Sequence, residues 1–369
     1  APSEILVKQH FKYFVKILKP FNIKINFLTS KISLRDKKTI YNDLKKKKID
    51  LLIGTHSLLN ENINFNDLGL TVIDEQHKFG VNQRLRLQKK SIDSHILVLS
   101  ATPIPRSLTF VIYGEMDVSL IKNKPKDRKI TKTTIIGQNR IINIVEGIKR
   151  VITKKEKVFW VLPRIGNEEE TELENETSVI RRFNYLKKYF QDKVAFVHGK
   201  MKKEEVENIF LKFNEEKIMI LVTTTIIEVG IDIPEATTII IEEANRFGLA
   251  QLHQLRGRVG RGDKQGLCIL LFKESLSKNA IKRIKILKES DDGFFIAEED
   301  MRLRGFGDIA GYQQSGSKNF RFADPVTHED LFSLAEKYIK NININVNESK
   351  YAFLLKLFDK AEIINVNDI

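Results

Sequence analysis

Leu70-Thr71-Val72-Ile73-Asp74-Glu75-Gln76-His77 runs a short apolar stretch straight into two adjacent carboxylates. Such a stretch reads as a buried strand, and in an open parallel sheet the carboxyl end of a strand is where ligands bind. Working outward, short β-branched runs alternate with segments of helical length from residue 1 to about 275, the pattern of βαβ units. Strands are expected at Ile25–Leu28, Leu51–Ile53, Leu70–Ile73, Ile96–Leu99, Val158–Leu162, Ala195–Val197, Ile218–Val222, Thr238–Ile241 and Leu267–Phe272. Helices are expected at Ser33–Lys47, Gln138–Thr153, Thr177–Phe190, Lys202–Asn214 and Leu249–Val259, and another opens the chain. The polar, proline-containing stretch Lys122 to Lys129 reads as a linker between two α/β lobes, 1–124 and 130–274. Beyond it, 275–369 reads as a mostly helical element, with helices near Ser277–Lys288 and Phe294–Leu303 and then a glycine-rich loop. The acidic run Glu168 to Glu176 reads as a solvated loop.

Composition bounds the function. With 369 residues and 42% hydrophobic content the chain can build two or three cores without disulfides or metal. Its formal charge of +14 suits a polyanionic partner but does not require one. A single cysteine, Cys268, excludes a disulfide framework and any multi-thiolate zinc site, and the seven histidines offer no His-x3-His pairing. No apolar run approaches the ~20 residues of a membrane span, and no signal peptide is seen, so a cytoplasmic protein is expected. The opening Ala1-Pro2-Ser3-Glu4 lacks an initiating methionine, which suggests that the true start lies upstream.

Three further stretches bear on chemistry. Asp74 and Glu75 at a strand end are the arrangement that holds Mg²⁺ and polarises a water for nucleoside-triphosphate hydrolysis. Ser100-Ala101-Thr102-Pro103-Ile104-Pro105-Arg106 puts small hydroxyl residues on a proline-fixed turn after another strand. In Thr223 to Pro234, Gly230 permits close backbone approach and Asp232 is placed to accept from a ribose hydroxyl. The most specific segment is Gln254-Leu255-Arg256-Gly257-Arg258-Val259-Gly260-Arg261-Gly262, where Arg258 and Arg261 can clamp a phosphoryl group. Cys268 and Trp160 read as core residues, and Phe294-Phe295 as a helix packing against the second lobe.

Taken together, Asp74 to His77, Ser100 to Thr102 and Gln254 to Arg261 resemble motifs II, III and VI of the superfamily 2 helicases. Ile73 to Arg84, Ser100 to Leu108, Thr224 to Pro234 and Arg246 to Gly262 are closer still to the RecG family of bacterial DNA helicases. Ala1 to His10 is similar to motif Ia, His198-Gly199-Lys200-Met201 to a second-lobe motif, and Asp292 to Gly316 to the family's translocation segment. The resemblance implies two RecA-like parallel-sheet lobes, the first incomplete, and an ATP-dependent motor that uses Mg²⁺ and acts, as a monomer, on branched double-stranded DNA in repair and recombination. It implies that Asp74 holds Mg²⁺ through water, that Glu75 orients the attacking water, and that Arg258 and Arg261 are arginine fingers. Gln76, His77, Gly230, Asp232 and Gln254 would meet nucleotide, and Ser100, Ala101 and Thr102 would couple hydrolysis to movement. Pro2, Thr55, Thr224, Arg304 and Gln314 would meet DNA.

There are two departures from the family pattern. Tyr312 and Gln313 stand where the family carries Thr and Arg, and no Gly-x4-Gly-Lys-Ser/Thr phosphate loop occurs in the sequence. The family's loop precedes motif Ia, so a copy truncated before it, without the N-terminal wedge domain, is expected. The alternatives are a non-catalytic nucleic-acid-binding fragment and the related transcription-repair coupling translocase; the Arg304 segment and Gln76-His77 disfavour an RNA helicase.

Overall fold

The computed structural model describes residues 1–60, 62–75, 94–100, 117–121, 123, 129–163, 169–224, 233–272 and 276–304, with a few positions between 328 and 338; for 169–177, 203 and 304 it describes the backbone alone. The chain divides into two compact units: Ala1–Pro103 with Ile121–Leu303, and Ile104–Leu120 with Arg304–Ile369. The first unit holds nearly all of the described residues.

Its N-terminal part opens with α1 (Glu4–Leu18), started by the Ser3 hydroxyl, which accepts from Leu6 N–H at 3.3 Å. Strand β1 (Ile25–Leu28) leads to α2 (Leu34–Lys45), capped by Ser33 accepting from Asp36 N–H at 3.1 Å. β2 (Leu51–Gly54) then pairs with β1 in parallel, and β3 (Leu70–Ile73) with β4 (His95–Val98) likewise. Leu28, Ile40, Leu44 and Ile63 form a small core under α2. One face of the β3–β4 pair leaves Leu70, Val72 and Leu97 exposed.

The later part is a six-stranded parallel sheet in the order β5-β10-β9-β6-β8-β7. Its strands are β5 (Lys132–Gly137), β6 (Lys157–Val161), β7 (Val194–Val197), β8 (Ile220–Thr223), β9 (Ala236–Ile241) and β10 (Leu267–Phe272). β6, β8 and β9 are buried at every position, as strands covered on both faces must be. Because side chains alternate, Val158 and Trp160 join α3 (Ile141–Thr153) and α4 (Glu169–Phe190) on one face. Phe159 and Val161 join α5 (Lys203–Asn214), α6 (Leu249–Arg256), α7 (Lys278–Glu289) and α8 (Gly293–Arg304) on the other. Lys157 is wholly buried, yet its ammonium is satisfied: it donates to the Asn214 carbonyl at the end of α5 (3.0 Å) and pairs with Glu235 (3.4 Å).

The structure corrects two expectations and completes a third. The acidic run is no loop: from Glu169 it is the start of α4. Glutamate is a good helix former, and carboxylates gathered at a helix N-terminus oppose its positive end. The sequence reading had no strand at 132–137, where two threonines precede three apolar or small residues on a half-exposed edge strand. Phe295 stays exposed, and it is Ile296 and Met301 of the same helix that are buried. The linker expected at 122–129 lies almost wholly outside the described residues. Among the described residues no helix is long and apolar enough to cross a membrane.

Cys268 is core, as expected, and burial pushes its thiol up to about 12. At pH 8 only about one molecule in ten thousand would carry the reactive thiolate. A disulfide exchange reagent at pH 8 is therefore expected to leave Cys268 unmodified until denaturant is added; rapid labelling of the native protein would contradict this packing.

Candidate active site

Asp74 follows β3 directly, and its Oδ2 lies 3.3 Å from Nε2 of His10 on α1. The His10 hydrogen bond holds the Asp74 carboxyl below its ordinary value; partial burial opposes this, and the Glu75 backbone also donates to it. Asp74 is thus anionic at neutral pH. Glu75 sits in the left-handed region at φ 51°, which a residue with a side chain adopts at a cost of order 1 kcal/mol. The turn ends the strand abruptly and places two carboxylates on consecutive residues with different backbone directions. Leu99 N–H continues the ladder to the Ile73 carbonyl at 2.8 Å, so Ser100 and the acidic pair leave the same end of the sheet.

The other first-lobe candidates gather at the end of β2. Thr55 caps the short turn His56–Leu59, its Oγ1 accepting from Ser57 N–H at 3.5 Å. The Ala1 nitrogen donates to the Gly54 carbonyl at 2.9 Å, which brings the segment that carries Pro2 to the end of β2, where Thr55 follows.

In the second lobe, Thr224 is buried just after β8, its carbonyl accepting from the Thr223 hydroxyl at 3.0 Å. Gln254 is half-buried on α6, Arg258 is buried, and half-buried Arg261 donates from Nε to the Gly257 carbonyl at 3.2 Å. Between the two arginines Gly260 adopts φ 68°, and a Cβ there would lie 2.8 Å from the Gly266 nitrogen. Glycine is required at this position twice over, by conformation and by space.

Gln76, His77, Ala101, Thr102, Gly230, Asp232 and Gln314 lie outside the described residues, as do the side chain of Arg304 and the family departures Tyr312 and Gln313. The structure thus brings Asp74, Glu75 and Ser100 together in one lobe, and Gln254, Arg258 and Arg261 together in the other.

Four supporting residues escaped the sequence reading. His10 was signalled only as part of the stretch Gln9-His10. Arg256 stands within the glycine-rich segment but turns inward: its Nη1 donates to the Leu287 (2.6 Å) and Ser290 (3.0 Å) carbonyls, and its Nη2 meets His253 (2.9 Å) and Asp291 (3.0 Å). Burial pulls its guanidinium below the ordinary value, and Asp291 opposes that. Buried Asp300 on α8 accepts from Leu249 N–H at 3.1 Å. Arg256 and Asp300 therefore tie α6, at whose end the candidate arginines sit, to α7 and α8.

The fourth, Glu242 at the end of β9, is buried and accepts from Trp160 Nε1 (2.8 Å), Arg182 Nε (2.9 Å) and Gln138 Nε2 (2.9 Å). The Arg182 guanidinium lies 5.2 Å from the Trp160 ring centroid. Four separate elements of the second lobe meet at this carboxylate.

Two parallel-sheet lobes, an acidic pair at a strand end in one and a glycine-spaced arginine pair in the other define the class of superfamily 2 helicases. Residues 1–111 match the DEAD/DEAH box helicase family, and residues 146–263 the helicase conserved C-terminal domain. Within that class the chain is similar to the RecG helicases. It is 42% identical over 377 residues to the ATP-dependent DNA helicase RecG of Aquifex aeolicus, a match covering 98% of this chain and 47% of the relative. The RecG of Streptococcus pneumoniae is 38% identical, with 98% and 54% covered. A solved structure of RecG bound to a three-way DNA junction superposes with a TM-score of 0.71 at 36% identity, covering 90% of this chain and 42% of that one. The chain spans about half the length of the curated relatives it matches.

Proposed function

We propose that the complete protein is an ATP-dependent helicase and translocase that acts on branched duplex DNA in repair and recombination. The observation that carries this reading is the pairing, in a chain similar to the RecG helicases, of an acidic strand end at Asp74 and Glu75 with the buried and half-buried arginines at 258 and 261. In this reading Asp74 and Glu75 face the phosphates from one lobe and Arg258 and Arg261 from the other. Gln254, with Gln76, His77, Gly230 and Asp232, meets nucleotide. Ser100, Ala101 and Thr102 couple hydrolysis to movement, and Pro2, Thr55, Thr224, Arg304 and Gln314 meet DNA. The ties from Arg256 and Asp300 to α7 and α8 give a route by which a displaced arginine segment would carry the translocation segment with it.

Asp74 fits a magnesium ion held through water. Its carboxylate is anionic and partly exposed, and among the described residues no group of three ligands builds an all-protein cage. Bound there, Mg²⁺ would neutralise charge on the nucleotide's β- and γ-oxygens. His10 occupies one carboxylate oxygen and so orients the other.

The test is phosphate release with and without forked duplex DNA. The protein made from its complete coding sequence is expected to show strong DNA stimulation. Residues 1–369 alone, whose sequence contains no phosphate loop, are expected to bind DNA weakly and hydrolyse nothing. DNA-independent hydrolysis by the complete protein would overturn the motor reading, and DNA-stimulated hydrolysis by residues 1–369 would overturn the assignment of the missing loop.

A further inference from the structure

A direct contact between the two lobes gathers four charged side chains. Glu207 on α5 of the second lobe lies 3.6 Å from the Lys8 ammonium on α1 and 3.4 Å from that of Lys31, in the turn after β1. Lys31 is also 3.9 Å from Glu4 Oε2, while Glu4 Oε1 accepts from the Ser30 hydroxyl at 2.6 Å. Beside this cluster Ile5 packs against the core of the second lobe. An apolar side chain thus anchors the contact, and two lysines of the first lobe close round one carboxylate of the second.

A carboxylate held between two ammonium groups is chemically close to a phosphodiester held there, since each offers one negative charge shared over two acceptor oxygens. Lys8 lies on α1, just after Pro2, which is already proposed to meet DNA. Both lysines remain substantially exposed, Lys8 at 51% and Lys31 at 37% of the side chain. Their pairing with Glu207 is therefore weak and exchangeable rather than a lock. A polyanion offers the same pair a competing partner whose capture also releases counterions.

We propose that Lys8 and Lys31 form a phosphate-binding pair for the nucleic-acid backbone, and that Glu207 occupies this pair in the present arrangement. An arriving phosphodiester displaces the Glu207 carboxylate and so removes the charge contact between α5 and the first lobe, while the Ile5 packing remains. This inference rests on the DNA-binding reading above.

The experiment is fluorescence anisotropy of a labelled forked duplex with the complete protein, titrated between about 50 and 200 mM salt. Glu207→Gln removes the internal competitor and is expected to tighten binding by about threefold or more at the low-salt end. The double variant Lys8→Gln/Lys31→Gln is expected to weaken binding and to flatten the salt dependence by about two phosphate contacts. In that double-lysine background Glu207→Gln should have no effect, which separates competition for the lysines from a general change of charge. Unchanged or weaker binding by Glu207→Gln alone overturns the inference, as does an unaltered salt slope in the double-lysine variant. If the wild-type protein binds no DNA at all, the DNA-binding reading falls and this inference with it; wild-type binding without the Glu207 effect overturns this inference alone.

Discussion

Glu75→Gln in the complete protein is expected to lower DNA-stimulated ATP hydrolysis by about two orders of magnitude or more, while nucleotide and DNA affinities stay near wild type. The side chain keeps its size and its hydrogen-bonding oxygen, and the left-handed backbone at φ 51° is asked of either residue alike. What the amide cannot do is act as a base on the attacking water, so the loss should fall on turnover and leave the binding constants alone. Steady-state hydrolysis alongside nucleotide binding separates the two. Activity within tenfold of wild type would remove Glu75 from the chemistry, and a matching loss of nucleotide binding would make it a structural residue.

The largest effect on stability is expected from Glu242→Ala. Removing this carboxylate strands the Arg182 guanidinium, whose side chain is only 15% exposed, and leaves the Trp160 indole N–H in the apolar interior without its acceptor. Breaking one partner of a buried ion pair costs about 3–5 kcal/mol, well above what replacing the pair as a whole would cost. Glu242→Gln, which retains an acceptor for Trp160, should lose less. Trp160 is the sole tryptophan among residues 1–369, so urea unfolding followed by its fluorescence reports on the site directly. A loss below about 1 kcal/mol for the alanine variant would show that water replaces the carboxylate.

The same two residues show what could be read from sequence and what could not. The strand reading at Leu70–Ile73 is met residue for residue, because four apolar or β-branched positions bounded by acid leave little choice of structure. Glu75 follows as the next residue in the chain, so its place at the strand end needed no three-dimensional information. Glu242 and Glu243 look alike in sequence, but only Glu242 lies where Trp160, Arg182 and Gln138 converge, and those partners come from 60 to 104 residues away. Arg256 was obscure for a related reason. It sits among glycine-spaced arginines that read as phosphate ligands, and only the carbonyls of Leu287 and Ser290 show that it faces inward. Local pattern exposes strands and strand-end chemistry, whereas a side chain satisfied by distant backbone leaves no local mark. The acidic start of α4 failed differently: charge density suggested a loop, whereas glutamate is also a good helix former.

The strand order of the second lobe also constrains its history. β5 is the first of its strands to leave the ribosome, yet its neighbour is β10, the last, with Lys132 beside Leu267 and Gly137 beside Phe272. The sheet therefore cannot acquire its outer edge until the rest of the lobe has been synthesised, and contacts so distant in sequence are slow to form. A nascent chain halted before residue 267 would carry an unclaimed strand, and its time in the company of chaperones would be set by translation of the segment between.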